Sequence, residues 1–191
     1  MANLGLQVFG GHGYVADNGI EQVVRDGRIS TVYEGTTGIQ ALDLIGRKVL
    51  GNGGTLLRQV TAVIRSFCVD AGASGGEEVQ AYCQELARLC DEWESLAGTI
   101  SERAIKNLDE LGASSVDFLM YSGYVVLGYL WGRMALAAEN GAGAEAAFNQ
   151  KKLATARFYF ARLLPRAGAH AAAALAGAET VMSIEHDDFA I

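Results

Sequence analysis

Apolar residues between positions 55 and 181 recur with the period of α-helices. The most regular stretch steps by four and three residues through the middle of the chain, a spacing typical of a helix-bundle seam. This pattern predicts one long helix that extends toward Leu111. Its seam residues are Val79, Cys83, Leu86, Cys90, Trp93, Ala97 and Ile100.

Three more helices are predicted around this seam. An amphipathic helix precedes it and is stopped by the glycines of residues 72–76; its apolar residues are Leu56, Leu57, Val60, Val63, Ile64 and Phe67. Ser114 or Ser115 is the predicted N-cap of a nearly all-apolar helix that ends near Ala138. The last helix is predicted from Ala144 to about Val181, with a kink at Pro165. The pattern therefore predicts an all-α fold and an antiparallel helical bundle.

The first fifty residues have a different character. Three glycines within residues 10–13 oppose a stable helix there. Asp17 or Asn18 is predicted to cap a short helix over residues 20–25, which Asp26-Gly27 stops. Residues 28–33 are β-branched and predicted to be extended.

A further helix start is predicted at Thr36 or Thr37, and the helix is predicted to end at the breaker formed by residues 51–54. Its apolar side carries Ile39, Leu42, Ile45, Gly46 and Val49. We place a domain boundary at this breaker, with residues 1–53 as the end of one helical domain and residues 54–191 as an additional helical-bundle domain.

The composition argues against several functional classes. Half of the 191 residues are hydrophobic, and the net charge of −7 argues against nucleic-acid binding. The three Cys residues form no CxxC pair, so we expect no disulfide framework and a reducing, cytoplasmic compartment. Cys83 and Cys90 lie seven residues apart on one face of a predicted helix, so we expect both to be buried thiols. The uncharged residues 118–131 are fewer than the roughly 20 needed to span a bilayer, so no membrane span is predicted.

The chemically suggestive residues lie in the first forty positions. The sequence Tyr33-Glu34-Gly35-Thr36 places a carboxylate next to a glycine and just before a helix start. Desolvation raises the proton affinity of a carboxylate, so such a group can act as a base. A helix N-terminus and a glycine turn can both offer backbone N–H groups to an anion. A solvated loop acid and a simple tight turn are the alternatives that the residues alone leave open.

These residues also resemble a known family. The segments Gln7 to Tyr14 (QVFGGHGY), Arg25-Asp26, Tyr33 to Thr36 (YEGT) and Ile39-Gln40 are similar, in order and spacing, to the C-terminal signature of flavin-dependent acyl-CoA dehydrogenases. The match covers about the first fifty residues. Residues 54–185 resemble, more generally, the extra helical domain of the longer members, including the methylthiopropanoyl-CoA dehydrogenase-like group.

The resemblance implies α,β-dehydrogenation of an acyl-CoA thioester with FAD as cofactor. It implies that Glu34 removes the α-proton while the β-hydride passes to the flavin, and that the backbone N–H of Glu34 binds the thioester carbonyl. Gly35 would line the substrate. The residues implied to contact FAD are Thr36, Thr37 and Gly38 and, for the cofactor of a neighbouring subunit, Gln7, Val8, Phe9, Gly10 and Gly11.

The same resemblance implies partners and a dependence on other domains. We expect a homo-oligomer that passes electrons to an electron-transferring flavoprotein. Enzymes of this family place two further domains ahead of the signature, so we expect this chain to be a C-terminal portion that neither binds FAD tightly nor turns over alone. Exposed apolar surface around residues 1–50 is expected to cause self-association.

Two other functional classes are alternatives to this enzyme. The first is a non-catalytic helical oligomerisation or interaction module in which Glu34 is idle. The second is a metal-binding four-helix bundle, which would need Glu-x-x-His pairs that the sequence lacks, so no metal site is predicted. Four other groups are predicted to have structural roles: His12 as a local hydrogen-bonding residue, Arg25 with Asp26 as an ion pair, residues 185–188 as a polar tail, and His170 as a structural residue within a helix.

Overall fold

The computed structural model describes residues 2–141 and 145–189, which are mostly helical and contain no β-strand. This confirms the all-α prediction. Within these ranges the α-helices are α1 (Ala2–Val8), α2 (Ile20–Ile29), α3 (Thr37–Leu42), α4 (Thr55–Ser74), α5 (Glu77–Lys106), α6 (Asp109–Asn140), α7 (Ala146–Phe158), α8 (Arg166–Ala174) and α9 (Glu179–Met182).

Shorter helical turns connect several of these helices. The 3₁₀ turns are Gly10–Tyr14, Ala16–Asn18, Leu50–Asn52 and His186–Phe189, and the π-helical segments are Asp43–Val49 and Tyr159–Leu163. The chain forms two compact units, one up to Gln40 and one from Ala41 onward. The domain boundary expected after residue 53 stays a prediction.

In the second unit, α4, α5 and α6 form an antiparallel layer with α5 in the middle. Arg65 of α4 binds Glu94 of α5 at 2.7 Å, whereas the thiols of Cys68 and Cys83 interact further along, so the two helices run in opposite directions. Helices α5 and α6 are also antiparallel: the Tyr121 hydroxyl on α6 donates to the Leu89 carbonyl on α5 at 2.9 Å, and Glu139 near the end of α6 accepts the N–H of Gly76 just before α5. The predicted antiparallel bundle is therefore present.

Helices α7 and α8 cover another side of α6. The Tyr159 hydroxyl donates to the carbonyl of Tyr124 at 2.8 Å, and the His170 ring nitrogen Nδ1 lies 2.8 Å from the Asp117 carboxylate. His170 therefore has the structural position that the sequence analysis assigned to it.

The long predicted seam is confirmed, because all seven of its residues are buried in α5. Its predicted extension to Leu111 is wrong: α5 ends at Lys106, and Leu111 lies in α6. Ser114 and Ser115 are buried inside α6 instead of capping it, and their hydroxyls donate to the carbonyls of Glu110 and Gly112. The Asn107 side chain accepts the Asp109 N–H at the true start of this helix.

Helix α4 is present as predicted, but its buried side is shifted from the one that the apolar residues outline. Leu57 and Ile64 are buried together with Thr61, Cys68 and Ala71. Leu56, Val60 and Val63 remain exposed. The buried side of α4 therefore combines three small residues with Leu57 and Ile64, whereas three other large aliphatic residues face outward.

The link between α4 and α5 is closed by a residue from a distant helix. Gly75 and Gly76 separate the two helices as predicted, and the N–H of Gly76 donates to the carboxylate of Glu139 at 2.9 Å. Glu139 lies in the last turn of α6, so it supplies the acceptor that the first turn of α5 lacks in its own sequence.

The last predicted helix is divided in the structure. Its expected first residue, Ala144, lies outside the described residues, and α7 begins at Ala146. A π-helical segment replaces the α-helix before Pro165, and α8 ends at Ala174. Gly177, with φ of 86°, separates α8 from α9, and Glu110 accepts the N–H of Ala178 there at 3.0 Å.

Cys83 and Cys90 are buried thiols as predicted, and Cys68 is also free and buried. The helices of the described residues offer no segment with both the length and the hydropathy that crossing a bilayer requires.

Candidate functional site

The first unit carries the residues for which the sequence predicts chemistry. Helices α1 and α2 pack on each other, with Ala2 near Gly27 and Gly5 near Ile20. This packing explains why α2 runs through the predicted stop at Asp26-Gly27 and ends only at Ile29. A glycine inside a helix costs about 1 kcal/mol relative to alanine, which a helix–helix contact can offset.

The segment after α2 is a series of turns and not the extended strand that its β-branched residues predict. The N–H groups of Val32 and Tyr33 both donate to the carbonyl of Ile29, at 2.9 and 3.1 Å. A single extended segment has no ladder partner for its backbone groups, so turns that satisfy them locally are preferred.

The predicted cap of α2 is also replaced. Gly19, with φ of 69°, precedes the helix, and the Asn18 side chain donates to the carbonyl of His12 at 2.8 Å. His12 thus anchors a local hydrogen bond through its backbone. Asp26 accepts a hydrogen bond from Gln22 at 2.7 Å instead of pairing with its neighbour Arg25, because adjacent positions on a helix do not face each other.

Glu34 occupies an unusual backbone conformation. Its φ is 57°, and within residues 2–141 and 145–189 it is the one residue other than glycine with a positive φ. The left-handed region is uncommon for a side chain such as Glu, and it marks a position that the surrounding structure imposes.

Two neighbours impose this conformation. Gly35 follows with φ of 101°, and a Cβ at that position would lie 3.1 Å from Ile39 and 3.2 Å from the Gln40 amide nitrogen. The Gln40 amide donates to the carbonyl of Glu34 at 2.5 Å. Glycine at 35 and glutamine at 40 therefore close a tight turn that holds Glu34 immediately before α3.

The Glu34 side chain is exposed, so the residues of the first unit do not enclose it in the apolar cleft considered from the sequence. Tyr33 beside it is exposed as well. Thr36 and Thr37 are exposed at the start of α3, and Gly38 is half-buried. The first N–H groups of such a helix lack intrahelical acceptors. The turn thus combines a carboxylate, two hydroxyls and free backbone donors.

A second exposed group lies at the end of α1. Gln7, Val8 and Phe9 are exposed, and Gly10 follows with φ of 59°. Nothing lies within 4 Å of a Cβ built on Gly10 or Gly11, so their backbone is open to a ligand. Gly13 has a different role, because a Cβ there would lie 2.6 Å from the Leu6 carbonyl oxygen; it is required for the turn itself.

The C-terminal tail forms a local turn, with the N–H of Glu185 donating to Asp188 at 3.0 Å. The side chain of His186 lies outside the described side chains. Among those that are described, no three His, Cys, Asp or Glu residues lie close enough together to hold a metal ion.

A polar cluster that the sequence does not predict joins α4 to α5 in the second unit. Arg65 binds Asp91 at 2.6 Å and Glu94 at 2.7 Å, and the Thr61 hydroxyl also donates to Glu94. Burial alone would raise the pKa of Glu94, but the hydrogen bonds from Thr61 and Arg65 outweigh it and lower that pKa. In the sequence, the one indication of this cluster is that Thr61 and Arg65 are four residues apart and therefore lie on the same side of a helix. The cluster joins α4 to α5 and is structural.

Comparison with known proteins identifies the class of this fold and turn. The family profile described as "Acyl-CoA dehydrogenase, C-terminal domain" matches residues 1–50, and the profile described as "Acetyl-CoA dehydrogenase C-terminal like" matches residues 56–185. The chain belongs to the acyl-CoA dehydrogenase family, as the resemblance predicts.

Among its relatives is the 3-methylmercaptopropionyl-CoA dehydrogenase of Ruegeria pomeroyi, 37% identical over 86% of this chain and 28% of the relative. Another is the broad-specificity linear acyl-CoA dehydrogenase FadE5 of Mycobacterium tuberculosis, 35% identical over 84% of this chain and 28% of the relative. A butyryl-CoA dehydrogenase of Syntrophomonas wolfei is 25% identical over 84% of this chain and 27% of the relative. The chain spans little more than a quarter of the length of these relatives.

Proposed function

We propose that this chain supplies the catalytic base of an FAD-dependent acyl-CoA dehydrogenase, and that Glu34 is that base. The observation that carries the proposal is the left-handed conformation of Glu34, held by Gly35 and Gln40 at the start of α3. A strained, exposed carboxylate in a turn that a glycine and a side-chain hydrogen bond maintain is typical of a functional position.

In the proposed mechanism, Glu34 accepts the α-proton of an acyl-CoA thioester. Its backbone N–H donates to the thioester carbonyl, where negative charge develops as the proton leaves. Gly35 has no side chain, so the acyl chain can approach the turn closely. FAD, when bound, would supply the acceptor for the hydride lost from the β-carbon.

The open backbone of this unit fits a phosphate-bearing cofactor. Thr36, Thr37 and Gly38 offer hydroxyl and N–H donors at the start of α3, where an anion is favoured. The exposed segment from Gln7 to Gly11, with its unobstructed glycines, supports a contact to the FAD of a neighbouring subunit. The acyl-CoA substrate, the homo-oligomer and the electron-transferring flavoprotein belong to the same proposal.

We further propose that the isolated chain is inactive and binds no FAD stoichiometrically. An efficient general base has to be shielded from water, and Glu34 is exposed in this chain. Its shielding would have to come from surfaces that residues 2–40 do not provide.

The test compares the chain alone with a chimaera in which it replaces the matching C-terminal portion of the Ruegeria relative. We expect the chimaera to be yellow and to dehydrogenate acyl-CoA, and the isolated chain to be colourless and inactive. Glu34→Gln in the chimaera should retain flavin and lose about 10²- to 10⁴-fold in turnover, the usual contribution of a general base. Asp17→Asn, at another exposed acid of the same unit, is the matched control.

Three outcomes would contradict parts of this proposal. Stoichiometric FAD on the isolated chain would remove the dependence on other domains. Full activity of the Glu34→Gln chimaera would place the base elsewhere. A chimaera that folds and binds flavin but lacks activity with Glu34 intact would favour the second candidate, a helical interaction module. The exposed apolar residues of the first unit, such as Leu4 and Val8, favour that candidate.

A further inference from the structure

Helices α4 and α5 bring two of the three Cys residues into contact. The thiol of Cys68 on α4 donates a hydrogen bond to the sulfur of Cys83 on α5. The two residues are 15 positions apart, one on each side of the link between the helices, and both are free thiols. We call them the Cys68–Cys83 pair. The third residue, Cys90, lies two turns further along α5.

A groove between α4 and α5 leads from the surface to this pair. It encloses about 420 Å³, and both Cys68 and Cys83 line it. Gln80 and Gln84 at its rim are exposed, whereas the two Cys residues are 9% and 4% exposed and form its floor. Cys90 is fully buried and does not line this groove. A small polar molecule can therefore reach the pair from water without reaching Cys90.

Small residues surround the pair. Ala71 is buried in the next turn of α4, and Gly72 and Ala87 line the groove. Small residues at a helix–helix contact allow the two backbones to approach closely. Because the two sulfur atoms are already in contact, a bond between them requires rotation of two side chains and a small further approach of the helices.

We propose that the Cys68–Cys83 pair is an oxidation site that a peroxide converts to an intramolecular disulfide. The Cys83 thiolate attacks one oxygen of the peroxide, the O–O bond breaks, and Cys83 becomes a sulfenic acid. The sulfur of Cys68 then attacks the sulfur of Cys83, and the sulfenic oxygen leaves as water together with the proton of Cys68. With hydrogen peroxide, two thiols and one peroxide give one disulfide and two water molecules.

The hydrogen bond within the pair determines which thiol attacks first. As the acceptor, Cys83 has its pKa lowered by this bond, whereas the bond raises the pKa of the donor Cys68. Cys83 therefore forms the thiolate more easily, and Cys68 stays protonated beside it. Burial raises the pKa of both thiols, that of Cys68 to about 12, so the first attack is slow at neutral pH. The pair accordingly responds to prolonged exposure to peroxide.

The disulfide joins α4 to α5 across the link between them. It closes a loop of 15 residues and thereby lowers the conformational entropy of the unfolded chain. We expect the oxidised chain to unfold about 5–10 °C above the reduced chain. The disulfide also protects both sulfur atoms from irreversible oxidation to sulfinic acid.

Peptide mapping of the full chain tests the proposal. Cys68 and Cys83 share one tryptic peptide, residues 66–88, whereas Cys90 belongs to the next peptide. The chain is kept for several hours with hydrogen peroxide in mildly alkaline buffer, then unfolded, alkylated, digested and analysed by mass spectrometry. We expect peptide 66–88 to lose two hydrogens and to accept no alkyl group, while Cys90 is alkylated. Dithiothreitol should restore both alkylation sites.

Serine variants test the order of attack, because a serine hydroxyl keeps a hydrogen-bond donor but forms no disulfide. In Cys68→Ser, the sulfenic acid of Cys83 has no thiol to react with, so dimedone should label it. In Cys83→Ser, Cys68 should remain a thiol. Dimedone on Cys68 but not on Cys83 would overturn the assigned order. Cys90→Ala is the matched control and should form the same disulfide as the parent chain.

Three results would overturn the proposal. The first is a peptide 66–88 that keeps both alkylation sites after prolonged exposure to peroxide. The second is a disulfide from Cys68 or Cys83 to Cys90 or to another chain, which links two peptides. The third is an oxidised chain with the thermal midpoint of the reduced one. None of these measurements involves flavin or turnover, so their outcome does not depend on the proposed function.

Discussion

The side-chain amide of Gln40 donates a hydrogen bond to the backbone carbonyl of Glu34, with 2.5 Å between nitrogen and oxygen. The bond spans the turn that contains Gly35 and the first residues of α3. It ties the backbone of the proposed base to the helix that follows, so the direction of the Glu34 side chain depends on a residue six positions away.

Gln40→Ala is therefore expected to lower turnover in the chimaera without removing the base. Loss of this bond loosens the Glu34 turn, and a small displacement of a catalytic group costs between about 10- and 100-fold in rate. The measurement is kcat with saturating acyl-CoA. Gln22→Ala, which removes an exposed glutamine bonded to Asp26, should leave kcat unchanged. Equal losses in both variants would show that the Gln40 bond has no special role.

Tyr121→Phe is expected to destabilise the second unit by about 1–2 kcal/mol. The Tyr121 side chain is fully buried, and its hydroxyl lies within 3.0 Å of both the Leu89 carbonyl and the Glu92 carboxylate. Removal of the hydroxyl leaves these acceptors short of a donor. Urea unfolding measures the change, and Tyr14→Phe, at a tyrosine that is 82% exposed, should change nothing. Equal stability of the two variants would contradict this account.

Arg65→Met is expected to cost about 1 kcal/mol more than Arg88→Met, since exposed ion pairs within one helix contribute little. Arg65 joins α4 to α5 through Asp91 and Glu94, whereas Arg88 pairs with Glu85 and Glu92 of its own helix. Because the folded state lowers the pKa of Glu94, its contribution is present above the unfolded pKa and is lost as pH falls. The difference between Arg65→Met and the parent chain should shrink below about pH 4. A stability difference between Arg65→Met and the parent chain that does not change with pH would argue against an electrostatic origin of this contribution.

Alkaline conditions are expected to weaken the fold through the buried thiols. Burial raises the pKa of Cys68 to about 12 and that of Cys90 to about 11, from about 9 in an unfolded chain. Above pH 9 the unfolded chain releases protons that the folded chain keeps, so the free energy of unfolding falls as pH rises. Each thiol contributes a slope of up to about 1.4 kcal/mol per pH unit.

Cys90→Ala should reduce this slope between pH 9 and 11, as measured by urea unfolding at several pH values. Val79→Ala is the control, because it truncates a buried residue of the same seam and should lower stability equally at every pH. An unchanged slope in Cys90→Ala would assign the alkaline effect to other groups.

The sequence predicted α5 and its seam because that helix is covered along one full side, so every apolar position at the right spacing is buried. For α4, the apolar residues recur with an equally clear helical period, but they predict the wrong buried side. Thr61 and Ala71 are buried there and Val60 and Val63 are not, because small residues allow α4 and α5 to approach closely. Periodicity identifies a helix, but the choice of its buried side depends on the shape of the neighbour.

In the candidate site, too, the sequence predicts some features, whereas others depend on the surrounding structure. The order and spacing of its residues lead to the family and to Glu34 from the sequence alone. The left-handed backbone of Glu34 does not follow from local preference, which disfavours it for Glu. It results from the combination of Gly35, Ile39 and Gln40 around one turn. The exposure of the Glu34 side chain likewise depends on which surfaces surround it, which the local motif does not encode.

The carboxylate of Glu139 that receives the Gly76 N–H lies 63 residues further along the chain. A ribosome makes the first turn of α5 well before it makes this acceptor, and chains fold as they emerge from their N-terminal end. During synthesis, the N–H of Gly76 therefore has only water as an acceptor until nearly all of α6 has been made and has folded back along α5. The connection between α4 and α5 is therefore completed only after α6 has been translated.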